Sequence, residues 1–187
     1  ESNPRFNQYS TQLGSIPPQP RLRRRWRSPA STHRQESAST FVKAMLKLCL
    51  AVEDIIEEHM PEQAARQRTD VECNVDPKWR FGTMFTSSIS NFNGAAQCHI
   101  DRRNRKGTVN AIYTKREAST GGDLFIPAYD ATIYCGDDSL IVYPAWRDMH
   151  AVTPIIPLSD DGYRNSLIFY PIAQFYDDEG TEDREQV

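Results

Sequence analysis

From Trp79 onward the chain is written in short runs of β-branched and aromatic residues, and this pattern constrains the fold more than any other feature. The runs "FGTMFTSSISNF", "GTVNAIYTK", "DLFIPAY", "ATIYCG", "SLIVYPAW", "AVTPII" and "RNSLIFYPI" are of strand length. Between them, "NFNG", "STGGD" and "CGDDS" supply the Gly, Asn and Asp that reverse a chain. About seven or eight strands in roughly a hundred residues bury their apolar faces most simply in an antiparallel sandwich or barrel. The expected class is α+β: a double-stranded β-helix, or jelly roll, with one or two supporting N-terminal helices and a flexible basic arm.

The helices precede the strands. Phe41, Met45, Leu48, Val52, Ile55 and Ile56 recur at helical spacing, with Ser39 or Thr40 placed to cap the start. Pro61 ends that run, and "PEQAARQRTD" suits a second short helix. Residues 1–37 are rich in Pro, Ser, Gln and Arg and are expected to form an arm without a core. Residues 38–176 then form the domain and residues 177–187 an acidic tail. The net charge of −3 conceals a basic cluster, "RLRRRWR", at the other end from that tail. The cluster suits either nucleic-acid contact, with Trp26 available to stack, or packing against the chain's own acids.

Cys49, Cys73, Cys98 and Cys135 form no CxxC pair, so buried free thiols in a reducing compartment are expected rather than a zinc ribbon or disulfide scaffold. No apolar run approaches the roughly 20 residues of a membrane span. An intracellular protein, nuclear or cytoplasmic, is expected.

The chemistry gathers around "AAQCHIDRRN". In a strand, His99 and Asp101 point to one face while Ile100 enters the opposite layer. Of the four histidines, one lies in the arm and one among the acids ending the helix, which leaves His150 in "PAWRDMHAVTPI" as the third ligand. Two imidazoles and one carboxylate leave coordination positions open, as in the facial triad of non-haem Fe(II) oxygenases. Zinc would favour a closed tetrahedral set, and no fourth ligand offers itself. Arg164 follows His150 by fourteen residues at the start of an apolar strand, with Ser166 two positions on and so on the same face. A buried guanidinium requires an anion, and its fork of donors matches a carboxylate. The competing reading pairs Arg164 with Asp160 or Asp161 on a surface turn.

The order of HxD, then "STGGDLFIP", then "GDDSLIVYPAWRDMHAVTPI", then "YRNSLIFYP" resembles the Fe(II)/2-oxoglutarate-dependent dioxygenase superfamily over about residues 82–172. The resemblance implies Fe(II) on His99, Asp101 and His150. It implies 2-oxoglutarate with its far carboxylate on Arg164 and Ser166, and dioxygen as co-substrate. The chemistry would couple decarboxylation to succinate and CO₂ with oxidation of a C–H bond. The spacing from His150 to Arg164 departs from many members through the extra "LSDDGY" turn. Tyr113, Leu124, Phe125 and Tyr134 are expected near the site, without a decision on which face inward.

The stretch "SSISNFNGAAQCHIDRRNRKGT" is similar to the TET/JBP branch, whose members oxidise the 5-methyl group of pyrimidines in DNA. That similarity implies 5-methylcytosine or thymine in DNA as substrate. Arg102, Arg103, Arg105 and Lys106 would then steer phosphates, although they also suit a solvated face paired with Asp123 or Asp137. A methyl group inside a stacked duplex is out of reach, so the base would be flipped or single-stranded. Asn91, Phe92, Asn93 and Gln97, on the approach to His99, are the candidates to hold it, with "NFNG" equally an ordinary turn. The alternative substrate is a protein side chain or small molecule under the same chemistry.

Overall fold

The computed structural model describes residues 8–19 and 25–177. In chain order these form β1 (Tyr9–Ile16), β2 (Ser28–Pro29), α1 (Ser39–His59), α2 (Pro61–Asn74), β3 (Ser87–Phe92), β4 (Ala96–His99), β5 (Asn110–Glu117) and β6 (Ser119–Gly121). There follow β7 (Leu124–Ile126), β8 (Ala131–Ile133), β9 (Ser139–Tyr143), β10 (His150–Val152), β11 (Ile155–Pro157) and β12 (Tyr163–Tyr170). A six-stranded sheet runs β2-β1-β3-β12-β5-β9, a four-stranded sheet runs β4-β10-β7-β8, and β11 pairs with β6. The ladders with a described register are antiparallel. Two helices with mostly antiparallel sheets agree with the expected jelly-roll class. Among the described residues no helix is long and apolar enough to cross a membrane.

The chain divides into two compact units. The first holds residues 8–11, 89–102 and 109–168. Its core is Ile112, Leu124, Ile126, Cys135, Tyr143 and Ala145, with Ile141 and Ile168 packed against them. Along β5 the alternation of strand side chains buries Asn110, Ile112, Thr114 and Arg116, so polar groups enter the interior beside the apolar ones. A Cβ on Gly121 would lie 1.9 Å from the Pro154 carbonyl oxygen, so β6 approaches β11 as closely as it does only because that residue is glycine.

The second unit holds residues 12–19, 25–88, 103–108 and 169–177. The buried face of α1 is Met45, Cys49, Val52, Glu53 and Ile56. Phe41 and Ile55, expected on that stripe, are exposed instead, because the face turns toward Cys49 and Glu53. Neither Ser39 nor Thr40 caps the helix: a 3-10 turn at Glu36–Ala38 leads directly into it, and Ala38 is the cap position. α2 runs four residues beyond its expected end. Val71, Val75, Ile172, Phe175 and Tyr176 form a core cluster here.

Within the expected arm, the described residues 8–19 and 25–37 are tied into the protein rather than lying without a core, while residues 1–7 and 20–24 lie outside the described residues. Gly14 accepts Ala30 N–H through its carbonyl, its own N–H goes to His33 Nε2 at 2.8 Å, and Leu13 is 1% exposed. Arg27 reaches Asp177 at 3.5 Å and lies over the Phe175 ring, so this part of the basic cluster packs on the chain's own acid. Residues 21–24 and the acidic residues from 178 onward lie outside the described residues. Cys49 and Cys135 are buried free thiols as expected, whereas Cys73 and Cys98 are exposed.

Glu53 is buried to organise the turn after Gly82. Its Oε1 accepts the N–H groups of Thr83 and Met84, each at 2.8 Å, and its Oε2 accepts the Thr83 hydroxyl at 2.7 Å. Glu53→Ala leaves two backbone donors unsatisfied and is expected to cost about 3 kcal/mol, measured as a lower urea midpoint. His33 can accept from Gly14 only as the neutral ring, and burial lowers its pKa below the ordinary 6.5. That stabilisation is therefore present above pH 6.5 and lost as pH falls further. His33→Phe should flatten the acid limb of the stability–pH curve.

Candidate metal centre

The site is assembled entirely within the first unit. β4 pairs antiparallel with β10 so that His99 stands directly opposite His150, and cross-strand partners project to one side of a sheet. Their ring centroids are 4.4 Å apart. Asp101, just past the end of β4, places Oδ1 3.3 Å from His99 Nε2. One ligand atom from each of His99, Asp101 and His150 lies within 4.8 Å of the others.

Local hydrogen bonds set which atoms face inward. A carbonyl oxygen can only accept, so His99 Nδ1 donates to Gln97 O at 2.7 Å and His150 Nδ1 donates to Asp148 O at 2.9 Å. Both rings thus carry their proton on Nδ1 and offer the Nε2 lone pair, as metal-bound histidines do. Burial lowers the His150 pKa and favours its neutral ring, against the opposing pull of the Asp148 carbonyl and the Asp101 charge. Asn110 Nδ2 donates to Asp101 Oδ2 at 3.1 Å, and Asp101 N–H bonds Ala145 O at 3.1 Å. The Tyr143 ring packs edge-on against His150. His150 is buried while His99 and Asp101 retain exposure, so the cluster opens on one side. Two nitrogen donors and one carboxylate with an open side fit a first-row divalent metal.

Arg164, on β12, is 2% exposed, and its Nε and Nη1 are buried without a hydrogen-bond partner. Burial pulls its pKa below the usual arginine range, with the Asp123 charge acting the other way and Arg116 reinforcing the fall. The expected alternative, a surface pair with Asp160 or Asp161, does not occur. Gly122 makes room for the side chain: a Cβ there would meet Arg164 Cδ at 2.2 Å and Nε at 2.5 Å. Ser166 is buried two positions further along the same strand.

The expected base-holding residues are divided in fate. Gln97 is exposed beside His99. Phe92 is stacked between Tyr9 and Tyr163, with centroids at 4.8 and 5.8 Å, and Asn91 accepts from Ser10. Asn93 is buried at φ +55°, accepting Arg164 N–H through Oδ1 and donating its own N–H to Arg164 O. It is a turn residue that clamps β12, which takes it out of the role of reading a base.

Arg102 belongs to the first unit and Arg103 and Arg105 to the second. Arg102, Arg103 and Lys106 are exposed. Arg105 instead makes a bidentate bond to Asp70, both contacts at 3.0 Å, and lies over the Tyr176 ring, so it is committed within the protein. The acids expected to pair with this run are engaged elsewhere: Asp137 with Lys115, and Asp123 with the Cys135 N–H. Leu124 is buried, but Tyr134 is 73% exposed and Tyr113 bonds Asp138. Asn110, Tyr143 and Gly122 were missed. The Gly-Gly pair was legible only as a turn, and Asn110 carries no sequence signal of its partner.

No family model matches the sequence, and no curated protein matches it. Among solved structures the chain is similar to NgTET1 in complex with 5mC DNA, with a TM-score of 0.67 at 11% identity. The match covers 89% of this chain and 61% of that one, so the present chain spans less than two thirds of NgTET1. At that identity the likeness concerns the fold, which is TET-like. Gly122→Ala should displace Arg164 and cost about 2 kcal/mol or more through left-handed strain and overpacking. A lowered thermal midpoint with unchanged divalent-metal affinity is the expected result.

Proposed function

We propose that this chain is an Fe(II)- and 2-oxoglutarate-dependent dioxygenase that oxidises the 5-methyl group of a pyrimidine, 5-methylcytosine or thymine, in DNA. The reading is carried by the His-Asp-His cluster offering its lone pairs, and it is supported by a buried guanidinium with unsatisfied donors in the same unit. His99, Asp101 and His150 would hold the iron, which when bound supplies the redox chemistry linking keto-acid decarboxylation to C–H oxidation. Arg164 would receive the far carboxylate of 2-oxoglutarate, with the Ser166 hydroxyl as a further donor. Asn110 holds the Asp101 carboxylate in one orientation, and the Nδ1 bonds prevent either imidazole from rotating. Tyr143, which packs on His150 and belongs to one core cluster with Ile112 and Leu124, would keep water from the inner side.

DNA as substrate is supported by the fold shared with NgTET1, which has been captured on 5mC DNA. It is also supported by the exposed cations Arg102, Arg103 and Lys106. The target base would leave the stack and enter on the His99 side, where Gln97 is exposed. The second reading, oxidation of a protein side chain or small molecule, is favoured by the internal commitment of Arg105 and Arg27, which reduces the cations free for phosphate.

With Fe(II), 2-oxoglutarate and a methylated duplex, succinate release should depend on the DNA, and nucleoside mass spectrometry should find one added oxygen on a pyrimidine. Asp101→Ala should reduce both to background, and unchanged turnover in that variant rules out the triad. Alanine at Arg102, Arg103 and Lys106 should flatten the plot of log affinity against log salt by about 0.9 per lost contact. Succinate release without DNA dependence selects the second reading.

A further inference from the structure

The second unit carries an open pocket of about 600 Å³, none of whose lining residues belongs to the metal centre. One wall is α2, where Arg66, Thr69, Asp70 and Cys73 recur at helical spacing and so share a face. The other wall is the turn at Lys106, Gly107 and Thr108. Side-chain bonds hold the two walls together. Arg105 bonds Asp70 through two contacts at 3.0 Å, and Gln63 Nε2 donates to the Gly107 carbonyl at 3.1 Å. The turn keeps its shape through Gly107, which stands in the left-handed region at φ +80°.

The charge of the lining is positive. Its one acid, Asp70, is already neutralised by Arg105 and takes a further donor from Asn74 Nδ2 at 2.8 Å. Arg66 donates to the amide oxygen of Gln63, a neutral partner that leaves its charge uncompensated. Lys106 is exposed, and among the described residues neither cation is paired with an acid. A guanidinium fork, an ammonium and the Thr69 hydroxyl together suit an oxyanion. No aromatic or purely apolar side chain lines the pocket, so it offers a base no surface on which to stack. A phosphodiester held by its oxygens fits this lining, whereas a nucleobase does not. Lys106 also follows the metal ligand Asp101 by five residues, a stretch that spans at most about 18 Å however it is folded. That reach equals roughly five base-pair steps of a duplex.

We propose that this pocket grips a backbone phosphate of the DNA whose base is presented to the metal centre, with Arg66 and Lys106 as its anion-binding residues. This rests on DNA as the substrate, and the test separates the two. The full chain is titrated with a fluorescein-labelled duplex, followed by anisotropy across a salt series. Alkylation of the exposed thiols Cys73 and Cys98 by iodoacetamide is followed in parallel by peptide mass spectrometry.

Arg66→Gln should weaken binding about threefold or more, equally for methylated and unmethylated duplexes, and lower the salt slope by about 0.9. Lys47→Gln, which removes the same charge from an exposed position on α1, should change neither. Duplex at roughly ten times its Kd should slow alkylation of Cys73, which lines the pocket, about fivefold or more. Inorganic phosphate at the same phosphate concentration should leave that rate alone. The proposal is overturned if Arg66→Gln binds the duplex like the parent, or if Lys47→Gln is as damaging. It is equally overturned if the duplex protects Cys98 but not Cys73, or if inorganic phosphate protects Cys73 as well as the duplex does. A parent that binds no duplex overturns this inference and the DNA reading together. A parent that shows these effects yet oxidises no base keeps the pocket and removes the oxygenase reading.

Discussion

The face-to-face register of His99 and His150 across β4 and β10 is the contact on which the rest of the site depends. A slip of one residue would send either imidazole to the other side of the sheet. Each ring is then held by the same local device, an Nδ1–H bonded to the carbonyl two residues earlier in its own chain segment. Asp101 joins them because β4 ends at His99 and the next turn is tied to Ala145. Convergence is therefore a property of the backbone, with side-chain hydrogen bonds deciding only which atoms point inward.

Arg164 presents the complementary case, an unsatisfied group retained in a folded interior. A guanidinium with two unpartnered nitrogens is costly to bury, since desolvation is not repaid by hydrogen bonds. The surrounding structure accommodates it nonetheless: Gly122 gives up a side chain, Asn93 clamps its backbone, and Asp123 supplies the nearby charge. Such a group is stabilised when an anion arrives. Under the proposed function, this would link the packing of the first unit to ligand binding.

The sequence made the strands and the triad legible because both rest on short-range rules. Alternation places i and i+2 on one face, and Gly, Asn and Asp punctuate the chain between strands. Arg105 was misjudged because its partner Asp70 is 35 residues away on α2, a contact no local pattern discloses. Asn93 sat in a stretch equally suited to a turn or to a ligand, and only its bonds to Arg164 decide between them. The N-terminal segment lacked apolar periodicity, yet strand β1 needs only Leu13 and a few backbone bonds to join the sheet. The exposed faces of Phe41 and Ile55 show the same limit: periodicity reveals that a helix has an apolar side, while tertiary contacts choose which residues it buries.

The most direct measurement is a crystal structure of the chain grown with Mn(II) and 2-oxoglutarate, using anomalous scattering to locate the metal. Manganese bound jointly by His99 Nε2, Asp101 and His150 Nε2, with the distal carboxylate of the diacid on Arg164, is the predicted result. Manganese bound elsewhere, or a diacid that leaves Nε and Nη1 of Arg164 untouched, would contradict it.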